Sequence, residues 1–259
     1  MNFNVITLFP EMIRSSLSCG VVGTALERQL FSLNLVNPRT FVKDVHKTVD
    51  DRPFGGGDGM VLKADPLEQA IKSLSGNQGH CVLLSAHGKK WSDAMARQWA
   101  NPEKGFQQIT LVCGRYGGVD QRFINKWVDE EISIGDYILS GGELAALTLI
   151  DSTVRLLPQV LGNSQSIDNE SFVDGLLEAP LFTRPQDESV PEVFLSGDHE
   201  KIKSARRALS LLITKTRRND LWTEEKELEL VKLKSVFKNF TAKQLESCGL
   251  SEKVLKDNL

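Results

Sequence analysis

Most of the features that announce a protein's chemistry are missing from this sequence. No apolar run approaches the roughly 18 residues that a membrane-crossing helix needs, so an integral membrane protein is not expected. Only four cysteines occur in 259 residues, Cys19, Cys81, Cys113 and Cys248, far apart and with no Cys-x-x-Cys pair. That spacing excludes a zinc ribbon and a disulfide scaffold. The four histidines form no His-Glu-x-x-His or comparable ligand set, so no metal ligands are expected. The glycine-Lys-Ser/Thr phosphate loop and the G-x-G-x-x-G dinucleotide fingerprint are both absent, which sets aside nucleoside triphosphates and NAD. A nucleoside ligand held by backbone groups, with Tyr116 or Tyr137 nearby, stays open. The opening MNFNVITLFPEM lacks the basic and long apolar regions of a signal peptide, so a mature cytoplasmic protein is the expectation.

What is present fits a globular protein: 41% hydrophobic and 25% charged residues, in a chain long enough for one large domain or two modest ones. Charge is unevenly placed. Between positions 201 and 220 stand Lys201, Lys203, Arg206, Arg207, Lys215, Arg217 and Arg218 against Asp220 alone, in a chain whose net charge is −3. Such a stretch suits a polyanion, or simply a solvated helix face.

The apolar pattern alternates between strand and helix. Phe3–Phe9 reads as a strand, with Pro10 in the first turn of the next helix; His80–Ser85, Gln108–Cys113 and Glu130–Ile134 read as further strands. Pro66–Leu74, Ser92–Ala100 with Ser92 as N-cap, and Glu143–Leu157 read as helices. This predicts an α/β domain with a mainly parallel sheet. Gly162–Asp168 is polar and reads as a linker without regular structure. Beyond it, Leu230, Leu233, Phe237 and Phe240 mark one face of an amphipathic helix. Trp91, Trp99 and Trp127 read as core, and Asp120 and Arg122 as a cap and ion pair at a helix start. Glycine-bearing loops follow the strand ends at Ser85, Cys113 and Ile134. In an open α/β sheet, ligands sit beyond the carboxyl ends of the strands, where glycine lets the backbone come close.

Five segments carry a resemblance: TVDDRPFGGGDGM (Thr48–Met60), VCGRYGGVDQR (Val112–Arg122), SIGDYILSGGELAALTLID (Ser133–Asp151), LFTRP (Leu181–Pro185) and LSGDHEKI (Leu195–Ile202). Together they resemble the bacterial tRNA (guanine-N1)-methyltransferase family, TrmD, of the SPOUT superfamily. The resemblance implies an α/β domain with a deep trefoil knot plus a small helical C-terminal domain. It also implies a homodimer without membrane or DNA partners. The implied activity is transfer of a methyl group from S-adenosyl-L-methionine to N1 of guanosine 37 in tRNA, next to the anticodon. The implied organisation is a knotted cofactor-binding domain over 1–161, a flexible linker over 162–178 and a helical tRNA-binding domain over 179–259. Two readings rival this activity. One is a diverged enzyme of the same fold acting on another RNA nucleotide; the other is a protein that binds tRNA or the cofactor without turnover.

Carried over position by position, the resemblance assigns Glu170 as the base that removes the N1 proton and Arg155 as the cation near O6. Asp168 is the alternative carboxylate. The cofactor set is Leu84, Ser85, Ala86, Gly88, Gly114, Tyr116, Gly117, Ser133, Ile134, Gly135, Tyr137, Leu139, Gly141, Gly142 and Ala145. The tRNA set is His46, Asp50, Arg52, Gly55, Gly57, Arg206, Arg207, Arg217 and Arg218. Four departures stand out. The family's aspartate before Ser-Phe is Glu170 here, its Arg-Tyr-Glu-Gly reads Arg115-Tyr116-Gly117-Gly118, its Gly-Pro-Gly is Gly57-Asp58-Gly59, and its Leu-Ser-Pro is Leu84-Ser85-Ala86. The glutamate missing at Gly117 is associated with magnesium in the family, so Mg2+ is a candidate cofactor with a weaker role expected here.

Overall fold

The computed structural model describes residues 1–251, 253 and 254. They divide into two compact units, Met1–Ser164 and Gln165–Leu259. Among the described residues no helix is long and apolar enough to cross a membrane.

The first unit is built on five parallel strands in the order β2-β1-β6-β5-β7: β1 (Asn2–Ile6), β2 (Ser32–Val36), β5 (His80–Lys90), β6 (Gln108–Cys113) and β7 (Glu130–Ser133). A separate antiparallel pair joins β3 (Asp50–Asp51) to β4 (Val61–Leu62). Period-two alternation sends side chains to two cores. Phe3, Val5, Val82, Leu84, Ile109 and Leu111 face the one covered by α1 (Pro10–Ser16), α2 (Gly20–Glu27), α4 (Asp93–Ala100) and α6 (Glu143–Val154). Ile6, Cys81, Leu83 and Val112 face the other, covered by α3 (Ala64–Lys72) and α5 (Gln121–Trp127). Because strands buried on both faces are short apolar runs, β6 matches its sequence-based bounds residue for residue.

Two features differ from the sequence-based expectation. Strand β2, SLNLV, alternates exposed and partly buried positions at the sheet edge and lacks the continuous apolar run that marks its neighbours. Strand β5 does not stop at Ser85. It leaves its pairing with β7 after Leu84, makes an excursion over Ser85–Gly88, and rejoins the same strand at Lys89, opposite Ile132. The local caps follow the sequence: Ser92 accepts from Met95 N at 3.4 Å, and Asp120 accepts from Arg122 N at 2.9 Å while Arg122 pairs with its carboxylate. Trp99 is buried, and Trp91 and Trp127 pack against the two cores.

Register is held by a polar ladder across three strands. Asn34 Nδ2 donates to Asn4 Oδ1 at 3.1 Å, and Asn4 Nδ2 donates to Thr110 Oγ1 at 3.2 Å and to the Asn77 carbonyl at 2.9 Å. Thr110 Oγ1 donates onward to the Gln78 carbonyl at 2.6 Å. Asn4 and Thr110 are buried, and Asn4 is the registered partner of both Asn34 and Thr110. A one-residue slip of β1 would move Asn4 to the other face and strand its partners.

The second unit has its core around α7 (His199–Arg217), whose Ala208, Leu209, Leu211 and Leu212 are fully buried. Around it pack α8 (Glu224–Leu233) and α9 (Ala242–Ser247), the latter opened by a reciprocal Thr241–Gln244 capping box. The apolar face expected over Leu230–Phe240 does pack here, but the α-helix ends at Leu233 and a 3-10 turn over Lys234–Asn239 carries the rest. Within the polar stretch expected to lack regular structure, Ser164–Asn169 forms a 3-10 turn.

Replacing Asn4 by Ala removes its bonds to the buried Thr110 and to the Asn77 carbonyl, at about 0.5–1.5 kcal/mol for each hydrogen bond lost. Urea denaturation monitored by circular dichroism is expected to show that loss; an unchanged midpoint would mean the ladder does not hold the register.

Candidate active site

Strands β6, β5 and β7 are neighbours, and their carboxyl ends open into one cavity of about 450 Å³. Three loops wall it: the Ser85–Gly88 excursion, the Gly114–Val119 turn after β6, and the Ile134–Gly142 loop between β7 and α6. The volume lies in the usual range for a small organic ligand.

The loops are drawn together by close backbone contact. Gly142 N donates to the Gly114 carbonyl at 2.9 Å, and a Cβ at Gly142 would stand 2.8 Å from Cys113 Cα, so only glycine permits the approach. Beneath this contact lies a buried ion pair. Glu143, the first residue of α6, is 1% exposed; Thr7 Oγ1 donates to its Oε1 at 2.7 Å, and Arg115 Nη2 lies 2.9 Å from its Oε2. A carboxylate at a helix N-terminus is favoured by the helix dipole. Arg115 Nη1 also donates to the Ser140 carbonyl at 3.1 Å, and its guanidinium lies 4.3 Å from the centre of the Phe9 ring. One arginine therefore ties the β6 turn, the β7–α6 loop and the β1–α1 junction.

Tyr116, next in sequence, takes a left-handed φ of +59°, uncommon for a bulky residue, and its hydroxyl accepts from Arg39 Nη2 at 3.5 Å. Gly117 N donates to the Met60 carbonyl at 2.7 Å, and a Cβ at Gly117 would stand 3.0 Å from that oxygen. The two buried cysteines of the sheet do not have the character of reactive thiols. Burial pushes Cys81 up to about 12 and raises Cys113 well above the ordinary range, whereas reactive cysteines are partly exposed and low in pKa.

Every residue that the resemblance assigns to the cofactor lines this cavity except Gly88. Gly88 instead packs on the backbone of Glu131 and Ile132, where β5 rejoins β7. The fit to S-adenosyl-L-methionine rests on the volume and on walls in which six glycines expose backbone, with Leu84, Ile134 and Leu139 as apolar surface and Tyr116 and Tyr137 as rings. His87, Arg115, Gln121 and Glu131 also line the cavity and are not in that set. The signal for Arg115 is its place inside the β6 turn motif; its partner Glu143 is 28 positions away and could not be paired with it from spacing. Among the described residues, no group of three or more His, Cys, Asp or Glu comes together as a metal site.

The remaining assigned residues fall elsewhere. Arg155, half-buried, caps the C-terminus of α6 in the first unit. Asp168, exposed, and Glu170, half-buried, belong to the second unit. Directly after Glu170 the backbone turns tightly: Phe172 and Asp174 take left-handed φ values of +78° and +52°, and Gly175 N donates to the Phe172 carbonyl at 3.0 Å. Non-glycine residues hold such values only where their surroundings over-determine them. His46, Asp50, Arg52, Gly55 and Gly57 lie between the 3-10 turn Pro38–Phe41 and β4, outside the cavity lining.

The arginines of the second unit are not equivalent. Arg207 makes a two-pronged contact with Glu229 at 2.7 and 3.0 Å and reaches Asp174 at 3.1 Å; Arg218 grips Asp220 at 2.8 and 2.7 Å. These guanidinium groups hold the Glu229 and Asp220 carboxyls below the ordinary range, mainly through the hydrogen bonds. Arg217 donates to the Gly249 carbonyl at 3.4 Å. Arg206 is exposed and has no carboxylate partner among the described residues.

The family described as tRNA (guanine-1)-methyltransferase TrmD matches residues 1–224. Proteins named tRNA (guanine-N(1)-)-methyltransferase are similar along most of their length. The one from Cereibacter sphaeroides is 48% identical over 227 residues, covering 84% of this chain and 90% of its own. That from Ralstonia nicotianae is 46% identical over 228 residues, covering 85% and 86%. That from Pelagibacter ubique is 46% identical over 226 residues, covering 86% and 97%.

Glu143→Leu leaves the half-buried Arg115 without its carboxylate and Thr7 Oγ1 without its acceptor, a loss of about 1–3 kcal/mol per unsatisfied buried group. The double replacement Arg115→Met with Glu143→Leu is expected to cost less than Glu143→Leu alone in urea denaturation. If the double change instead costs the sum of the two single changes, the pair is not coupled.

Proposed function

The chain belongs to the tRNA (guanine-1)-methyltransferase family, and from that premise we propose that it methylates N1 of guanosine 37 in tRNA, beside the anticodon, with S-adenosyl-L-methionine as donor. The observation that carries the reading is the cavity at the carboxyl ends of β5, β6 and β7, walled by the loops that hold the family's motifs. Relatives sharing nearly half of the aligned residues are named tRNA (guanine-N(1)-)-methyltransferase.

When bound, the cofactor supplies an electrophilic sulfonium methyl, so the protein's own work is positioning and proton removal. Glu170 is the base that takes the N1 proton, with Asp168 as the second carboxylate of its segment. Arg155 offsets the negative charge that builds on O6 as the proton leaves. The glutamate keeps the basicity of the family's aspartate and adds one methylene, and the tight turn at Ser171–Leu176 holds the backbone behind it. With glycine at 117, transfer depends on Mg2+ less than in relatives that carry a carboxylate there.

The reading extends to the rest of the chain. Residues 1–161 are the cofactor-binding domain with its trefoil knot, 162–178 a flexible linker and 179–259 the tRNA-binding domain. The enzyme works as a cytoplasmic homodimer, with no membrane or DNA partner. On the RNA side, phosphate contacts give salt-dependent affinity rather than sequence choice. His46, Asp50, Arg52, Gly55 and Gly57 serve the target guanosine and its neighbour; Arg206, Arg207, Arg217 and Arg218 serve the anticodon stem.

Incubation with S-adenosyl-L-methionine and an unmodified tRNA carrying guanosine at positions 36 and 37, followed by nuclease digestion and mass spectrometry, is expected to give N1-methylguanosine at position 37. Glu170→Ala is expected to slow transfer by roughly 10²–10⁴-fold, the loss typical of a general base, with cofactor affinity nearly unchanged. Full activity of that variant moves the role to Asp168.

The two paired-looking arginines separate in a second measurement. Arg206→Ala is expected to weaken tRNA binding and lower its salt dependence by about one counterion, with no change in stability. Arg207→Ala is expected to lower the stability of the second unit modestly, by up to about 1 kcal/mol, because it removes bonds to the half-exposed Glu229 and the exposed Asp174. Equal effects of the two on both readouts would contradict the distinction.

A further inference from the structure

The loop from Arg52 to Met60 presents one feature that the cofactor cavity does not use. The Phe54 side chain is 99% exposed, the most exposed large apolar group among the described residues. Its position is built rather than frayed. Gly56 N donates to the Pro53 carbonyl at 3.3 Å, closing a turn in which Phe54 holds the second position and Gly55, at φ +88°, the third. A type II turn demands that positive φ at its third position, which glycine supplies. Gly56, Gly57 and Gly59 follow, also at positive φ and with open space around each, so the loop arches away from the protein surface.

Both ends of the arch are fastened. Asp50 and Asp51 pair with Leu62 and Val61 in the β3–β4 ladder. On the far side, Gly117 N donates to the Met60 carbonyl at 2.7 Å and Leu62 N to the Gly118 carbonyl at 3.0 Å. Gly117 and Gly118 are part of the cavity wall. A bare phenyl ring is therefore mounted on a strut bonded to the rim of the candidate active site.

The chemistry of the arch favours one kind of occupant. Around Phe54 the loop offers glycines, Asp58 and the exposed Arg52, too little apolar surface for a protein interface, which needs a contiguous buried core. A single exposed flat ring suits a nucleobase through stacking, and the exposed Arg52, two positions earlier in the loop, suits its phosphate. A base that is methylated on its Watson–Crick edge must also leave the stack of its loop, and an aromatic side chain replaces the lost stacking. We propose that Phe54 is a stacking platform for an unstacked base of the RNA substrate, a specificity element at the mouth of the cavity. This rests on the RNA methyl-transfer reading given above.

The test uses the full chain with Phe54→Ala, Phe54→Leu and Phe54→Trp. The arch packs on nothing, so all three are expected to fold as the parent does, checked by circular dichroism. In steady-state transfer to unmodified tRNA, Phe54→Ala is expected to raise the KM for tRNA by about fivefold to a hundredfold, the range for losing one stacked base. The KM for S-adenosyl-L-methionine should not move. Phe54→Leu keeps apolar bulk but has no π face and should behave like Phe54→Ala, while Phe54→Trp should restore the parent's KM. Parent-like kinetics for Phe54→Ala, or full rescue by leucine, overturns the proposal.

A direct readout separates this failure from failure of the functional reading. The emission added by Phe54→Trp, over that of Trp91, Trp99, Trp127 and Trp222, should be quenched on titration with the anticodon stem-loop as a synthetic RNA. If the parent transfers no methyl group but this quenching occurs, the platform stands and the activity does not. If transfer occurs without quenching, the activity stands and the platform falls. A change of oligomeric state in Phe54→Ala with RNA quenching absent from Phe54→Trp also overturns it, since the ring would then cover a second copy of the chain.

Discussion

The contact between Arg115 and the buried Glu143 is the constraint on which the cavity depends. Glu143 sits where a helix N-terminus, the Thr7 hydroxyl and a guanidinium converge, so its charge is compensated from three directions. Arg115 in turn spans two of the three cavity loops and stacks on Phe9. Buried ion pairs rarely add net stability against an apolar alternative, because desolvation offsets the attraction. Their cost is easier to understand as a source of geometry. Loops walled by glycine have little side-chain packing to hold them, and a directional charged contact beneath supplies what packing does not.

A similar logic divides the basic stretch of α7. From composition it is seven cations against one acid, but acidic groups outside or at the end of the stretch neutralise much of it. Arg207 is taken by Glu229 and Asp174, Lys215 by Glu227, and Arg218 by Asp220. The Arg207 and Lys215 pairs join α7 to α8 and to the turn after Glu170, and the Arg218 pair closes the end of α7. For these half-exposed groups the electrostatic gain is modest and screened by salt, and the bonds mainly orient one segment against another. The cations left without carboxylate partners, Arg206 above all, are the ones whose charge stays available to a polyanion.

Much of the first unit was legible because its signals are local. The β6 run QITLVC, the Ser92 and Asp120 caps and Pro10 at a helix start each depend on residues within a few positions of one another. The cavity was legible for a related reason: strands that end in glycine-bearing loops point to a ligand wherever those ends meet. Strand β2 escaped notice because an edge strand half in contact with solvent has no run of apolar residues. The helix read through Leu230–Phe240 was right about the buried face and wrong about the backbone, since a 3-10 turn keeps nearly the same face inward.

By itself, then, the sequence determined the kinds of element, their caps and the family, all carried by short-range pattern or by ordered motifs. Tertiary structure alone decided that β7 lies beside β5 rather than β6, and that β5 leaves and rejoins its own ladder around Ser85–Gly88. It also decided which arginines of the basic stretch have carboxylate partners, and that Thr7 meets a carboxylate 136 positions away. These outcomes share a physical cause. Each is a pairing between groups far apart in the chain, selected by burial and hydrogen-bond satisfaction in the folded state, and no local period in the sequence encodes such a choice.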